Sequence, residues 1–234
     1  MTPVRNRARR GEGDRLRGEI LAVAEDLLTD TADASAVSIR AIADRVGVTP
    51  PSIYRHFSDK EELLDAVCEN VFTRLDQALE DAAAAASDPL DELMRKGHAY
   101  VEFGLAFPEH YRLVFMRQDP ALQHGPPLEP AAVDDPLAGV ALTGSNAFGH
   151  LVDTVERVVA LLPAELRPDA FALACSVWTA VHGITSLRIA KCDFPWPPLE
   201  TQLELIAGPW RERATARSSA AGRRNAAGPS RQRQ

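Results

Sequence analysis

Cysteine is scarce in this chain: Cys68, Cys175 and Cys192 are an odd number, far apart, and form no disulfide framework. Lysine is scarcer in proportion, since 23 of the 26 basic residues are Arg. Alongside abundant Ala this looks like the codon bias of a GC-rich genome, so Arg over Lys carries little functional meaning. Continuous apolar runs fall well short of the ~20 residues a bilayer-spanning helix needs. The basic start MTPVRNRARR is followed by no apolar stretch, which argues against a secretory signal, and the early Glu12 and Asp14 argue against a transit peptide. The expected setting is the cytoplasm, with no membrane partner. Also missing are an alternating strand pattern, a Gly-rich phosphate loop and a nucleophile elbow. His98, His110, His124, His150 and His182 show no HxxxH or ExxH spacing, so a helical metal-dependent enzyme is the weaker alternative. No catalytic residue, metal ligand or cofactor is assigned.

What is present begins with 45% hydrophobic and 25% charged residues over 234 positions, ordinary for a globular chain. The net charge of −7 is unevenly spread: residues 1–18 carry +4, residues 211–234 carry +6, and the body between them holds −17. Basic ends on an acidic body point to a polyanion bound locally, or to solvated tails.

The hydrophobic spacing predicts an all-α fold. Leu16, Ile20, Ala24, Leu27 and Leu28 mark a first helix from Asp14 to Asp30. Ser38 is a fitting N-cap for a short helix carrying Ile39, Ile42, Ala43 and Val46, which stops at Gly47. Thr49 is placed to cap the next short helix, with Pro50 at its first position. Ser58-Asp59-Lys60-Glu61 reads as a capping box for a long helix through Leu64, Val67, Cys68, Val71 and Leu75. Further helices are expected over 88–106, 108–116, 144–162, 169–190 and 199–213, with a proline-rich loop over 117–143. The resulting division is a basic arm at 1–13, a helix-turn-helix unit at 14–60, a helical unit at 61–213 and a disordered basic tail at 214–234.

The segment Ser38–Leu64, SIRAIADRVGVTPPSIYRHFSDKEELL, carries the strongest signal. Ala43 gives the small residue where two helices cross, and Gly47 tolerates the unusual φ of the turn. Val48, Ile53 and Phe57 are suited to face inward. Left over is a polar outer side that fits a major groove. At Ile42-Ala43, Gly47-Val48, Tyr54-Arg55-His56-Phe57 and Lys60-Glu61 the sequence resembles the TetR/AcrR family of one-component transcriptional regulators; Pro51 stands where many members have Gly. The resemblance implies a double-stranded DNA operator as partner. Tyr54, His56 and Lys60 would meet phosphates, with Ser38, Arg40 and Thr49 as further backbone contacts. Pro50, Ser52 and Arg55 would face base edges, where Arg is shaped for bidentate contact to guanine. The arm residues Arg5, Arg7, Arg9 and Arg10 fit either a minor-groove contact or a solvated arm.

In 169–190 one face carries Phe171, Cys175, Trp178, His182, Thr185 and Ile189, and a second carries Leu173, Val177, Val181 and Ile184. A helix apolar on two faces is buried on both. Val177, Val181 and Ile184, with Leu199, Leu203, Ile206 and Trp210, are therefore the expected surface of a four-helix homodimer interface, which is also what the resemblance implies. Trp178-x-x-x-His182-Gly183 resembles the Trp–His–Gly signature of one C-terminal subgroup. A small-molecule effector is expected to release the operator, with His98, Phe103, Phe107, Tyr111, Phe115, Met116, Phe148, Trp178 and His182 as candidate pocket residues and ordinary core as the competing role. Two more readings stay open on this scaffold: an activator in place of a repressor, and a redox sensor acting through Cys192, since Cys68 and Cys175 lie on apolar faces.

Overall fold

The computed structural model describes residues 12–31, 37–116 and 147–226, with side chains for 13–31, 37–116 and 147–214. The Arg5–Arg10 arm and the loop expected over 117–143 lie outside the described residues. Among the described residues every regular element is helical: α1 (Glu12–Thr31), α2 (Ile39–Val46), α3 (Pro50–Ile53), α4 (Lys60–Ala84), α5 (Pro89–Ala106), α6 (Pro108–Met116), α7 (Ala147–Ala160), a 3₁₀ turn (Ala164–Leu166), α8 (Ala170–Ala190) and α9 (Leu199–Ala226). By packing the chain forms two units, one of residues 1–73 with 107–125 and one of 74–106 with 126–234. The division falls inside α4, later than the 60/61 boundary read from sequence, and α6 joins the first unit.

In the first unit α1 packs on α2 and α6, and α2 on α3. Ile20, Leu21, Ala24 and Leu28 of α1 are buried, as are Ile42, Ala43, Ile53 and Phe57. The Ser38 hydroxyl accepts from Ala41 N at 3.2 Å, capping α2 as expected. Gly47 then ends α2 at φ 79°, and the Ala43 carbonyl accepts from both Gly47 N and Val48 N. Thr49 sits at the N-cap position of α3 without making a cap hydrogen bond; its Oγ1 pairs instead with Ser52 Oγ at 3.1 Å. The capping box of α4 is shifted by one residue from the sequence reading. Asp59 accepts from Glu62 N at 2.9 Å, and Glu62, not Glu61, accepts from Ser58 N. Adjacent residues at both positions are chemically competent, so the sequence alone does not select the register.

In the second unit α5 and α8 pack together and both touch α7 and α9. Leu90, Leu93, Phe148, Val152, Val155, Val158, Val159, Leu173, Ala174 and Val177 form the buried cluster. By length and composition alone α8 is apolar enough to cross a bilayer, although Ser, Thr and His interrupt its apolar runs, and 28% of its most apolar stretch is buried. Its apolar side packs on α5, α7 and α9, and its exposed residues are Ala172, Ser176, Thr179, Leu187 and Ala190. The end of the chain also departs from expectation: α9 continues to Ala226 instead of stopping at 213, across an internal Pro209.

Candidate functional site

In the first unit the buried members of the helix-turn-helix lie inward and the polar ones outward. Ile53 and Phe57 are fully buried, while Thr49, Pro50, Tyr54 and Arg55 are exposed and Ser52 and His56 half-exposed. Tyr54 leaves 52% of its surface to solvent, which removes packing as the main role of its ring. Ser38 and Arg40 are exposed at the start of α2, and Lys60 stands half-exposed at the first residue of α4. There the unsatisfied N–H groups of the helix start add a positive partial charge. The nine side chains singled out for DNA thus lie in one unit: Arg40 on α2, Pro50 and Ser52 on α3, Lys60 at the first residue of α4, Ser38 and Thr49 at the caps of α2 and α3, and Tyr54, Arg55 and His56 in the turn that follows α3.

One neighbour was not legible in the sequence. The Arg17 guanidinium of α1 lies over the Phe57 ring at 4.8 Å, with the Glu62 carboxylate within electrostatic reach. A Cβ on Gly13, one turn earlier, would come within 3.9 Å of His56 Cε1. The start of α1 therefore borders the His56–Phe57 corner, and Arg17 lies over the ring while remaining exposed. The only sequence signal was a charge on the polar side of an amphipathic helix, which looks like any solvated residue.

The second unit contains a cavity of about 80 Å³ between α4, α5, α7, α8 and α9. Its walls are mainly Leu79, Leu93, Met94, Leu151, Val177, Val181, Leu203, Ile206 and Ala207, with Tyr100 and Lys96 from α5 and Asp76, Glu80 and His150 also bordering it. Gly97 leaves room there: a Cβ would sit 3.4 Å from Leu203 Cδ2 and 3.8 Å from Val181 Cγ1. None of the aromatic and histidine candidates named from sequence borders this cavity. Phe107, Tyr111, Phe115 and Met116 belong to the first unit, where Tyr111 and Phe115 stack with centroids 4.7 Å apart and Phe115 meets Phe72 edge-on. Phe148 and Trp178 are core partners 5.7 Å apart, Phe103 is buried, and His98 pairs with Glu102 at 3.5 Å on the surface of α5. His182 stands behind the wall, its Nδ1 3.3 Å from the Tyr100 hydroxyl, and burial pushes its pKa down.

Val177, Val181, Leu203 and Ile206, expected at the dimer surface, face this cavity within their own subunit. Trp210 packs against the buried cluster, and Ile184 and Leu199 are half-buried. The α8 face left open carries Ala172, Ser176, Thr179, Leu187 and Ala190, and Leu205 of α9 is 76% exposed. Of the thiols, Cys68 and Cys175 are half-buried and Cys192 is exposed. Among the described residues no three His, Cys, Asp or Glu side chains are grouped as a metal site requires.

Beside the cavity, α5 and α7 are joined by a charged cluster. Arg157 donates to both oxygens of Glu92 at 2.7 Å, and Lys96 reaches Glu92 Oε1 at 2.8 Å and Thr154 Oγ1 at 2.9 Å. These donors, Arg157 first, hold the Glu92 carboxyl at a pKa of about 2.

Comparison with known proteins gives the following. A family profile described as bacterial regulatory proteins, tetR family, matches residues 20–67. A second, described as tetracyclin repressor-like, C-terminal domain, matches residues 93–205. The HTH-type transcriptional activator FasR of Mycolicibacterium smegmatis is 32% identical over 102 residues, 44% of this chain and 46% of FasR. The HTH-type transcriptional repressor KstR2 of Mycobacterium tuberculosis is 30% identical over 111 residues, 47% of this chain and 54% of KstR2. The chain thus spans about half the length of the curated relatives it matches. A protein of Rhodococcus sp. RHA1 superposes with a TM-score of 0.65 at 26% identity, covering 92% of this chain and 100% of that one.

Proposed function

Since the chain belongs to the TetR family of bacterial regulatory proteins, we propose that it is a cytoplasmic transcriptional regulator, a repressor and not an enzyme. It binds a pseudo-palindromic operator as a homodimer and is released by a small-molecule effector. The observation that carries this reading is the outward set on the helix-turn-helix, where Thr49, Pro50, Tyr54 and Arg55 are exposed directly beside the buried Ile53 and Phe57. A reading helix needs that division, because its inner side must be fixed while its outer side meets base edges. Arg55, Ser52 and Pro50 are the base-facing residues; Tyr54, His56, Lys60, Ser38, Arg40 and Thr49 hold phosphates, and Arg17 extends that row. Two such helices about 34 Å apart, one per subunit, meet successive major grooves.

The dimer is built on the open side of α8. Its Ala172, Ser176, Thr179 and Ala190 let a second helix approach closely and Leu187 offers it an apolar contact; Gly183 supports this, since a Cβ there would meet open space within its own subunit. The cavity of the second unit is the effector site. At about 80 Å³ it is smaller than the ~150 Å³ that accepts benzene. A ligand therefore enters by moving walls, and release follows if the moved state binds DNA less well. Trp178, His182 and Gly183 support placing the C-terminal part with the Trp–His–Gly subgroup. Activation in place of repression is the second reading, favoured by the activator named among the relatives.

The test is binding to the chain's own upstream region and to unrelated duplex across a salt series. Arg55→Ala is expected to weaken operator binding by about 1–3 kcal/mol and relax preference at one base pair. Arg17→Ala and Lys60→Ala weaken both duplexes alike and each lower the salt slope by about 1. An Arg55→Ala protein with unchanged preference would refute the base-facing role. A wild-type protein with no duplex binding would refute the function.

A further inference from the structure

We infer that the cavity of the second unit takes an uncharged, slender apolar molecule, one that carries no ionised group between the helices. This rests on reading that cavity as the effector site and adds the ligand's chemistry to it.

The first ground is that the polar side chains bordering the cavity are already engaged inside the protein. Lys96, with 13% of its side chain exposed, donates to Thr154 and pairs with Glu92, whose other oxygen is held by Arg157. A ligand carboxylate seeking Lys96 would have to pull it from that cluster, leaving Glu92 with fewer donors at a half-buried site. The Tyr100 hydroxyl is directed to His182 Nδ1, and burial disfavours the charged form of that imidazole. His182 thus provides no cationic partner for a ligand anion, and His150, the histidine that borders the cavity, stands beside Glu80.

The second ground is the rim. Asp76 and Glu80 stand one helical turn apart on α4, and Glu80 is exposed with its Oε1 3.8 Å from His150 Nε2. Carboxylates at the rim repel an anion approaching through it. A cation held there gains little from solvated carboxylates and meets the Lys96 ammonium farther in. The remaining wall is Leu, Val, Ile, Met and Ala, which stabilises hydrocarbon by burial alone. An ion moved into such walls without a partner loses its hydration with nothing in return. A ligand of narrow cross-section fits, because Gly97 supplies clearance only between Leu203 and Val181.

The experiment compares 1-octanol, octanoate and octylamine, equal in chain length and different only in charge. Binding of each to the full-length protein at pH 7 is read by titration calorimetry. The alcohol is expected to bind at least about tenfold tighter than either ion. Gly97→Ala, whose methyl group occupies the cavity at ordinary contact distance, is expected to weaken the alcohol several-fold. Ile206→Phe on α9 is a second filler with the same expected effect, and retained binding to unrelated duplex shows that each variant is folded. Octanoate or octylamine binding as tightly as octanol would overturn the inference. So would wild-type affinity in both filled variants. Octanol binding without any change in DNA affinity would leave the ligand class standing and overturn the regulatory reading instead.

Discussion

Glu92 accepts from Arg157, Lys96 and Thr154 at once, and this has a consequence for acid stability. Its pKa falls from 4.5 unfolded to about 2 folded, so the stabilisation is complete above pH 4.5 and is lost as the pH falls through about 2. Glu92→Gln is expected to lower unfolding free energy by about 2 kcal/mol at neutral pH, with the gap to wild type closing between pH 4.5 and 2. Urea titrations at pH 7, 4 and 2.5 check it, and a gap constant with pH would contradict the assignment. At this scale the sequence was partly readable. Ser38 caps α2 as its position suggests, because it is the hydroxyl residue immediately before the helix start. Thr49 does not cap α3, because Ser52 offers its hydroxyl a nearer partner. Arg157 and Glu92 are 65 positions apart, and no local pattern announces their pairing.

The α2–turn–α3 element was legible almost to the residue, since helix period, glycine and proline all agree there. Gly47 adopts φ 79°, and a Cβ would meet nothing within 4 Å. The cost of a side chain at this position is thus backbone strain alone. Gly47→Ala is expected to destabilise the first unit by about 1 kcal/mol, with Gly47→Asn recovering part of it, as read by thermal melting. Equal melting of all three proteins would show that the turn does not constrain the helices. The far end of α9 was less legible. Pro209 removes one backbone donor, and the composition after it resembles a tail, yet the helix persists to Ala226. Pro209 and Leu205 are both exposed, so water can satisfy the carbonyl that the proline leaves without an N–H.

For the whole molecule, the two apolar faces of α8 were legible, while their assignment was not. Periodicity shows that a face is apolar but not whether it meets a sister chain or its own neighbours. Val177 and Val181 face inward to the cavity, and Ala172, Ser176, Thr179, Leu187 and Ala190 take the open side. If the proposed dimer forms on that open side, Thr179→Arg is expected to leave a monomer in sedimentation at micromolar concentration, and to lower operator affinity at least tenfold while single-unit melting holds. A dimer unaffected by that charge would place the interface elsewhere. The cavity itself escaped the sequence for a related reason. Aromatic side chains are large enough to close the gaps they border, as Phe148 and Trp178 do, so the space remains where aliphatic residues and Gly97 fall short.

So tight a hollow sets a floor on what can be noticed. On the proposed reading, only a guest long enough to push on Leu203 and Val181 is felt, which makes the narrowness of the chamber its first filter against false alarms.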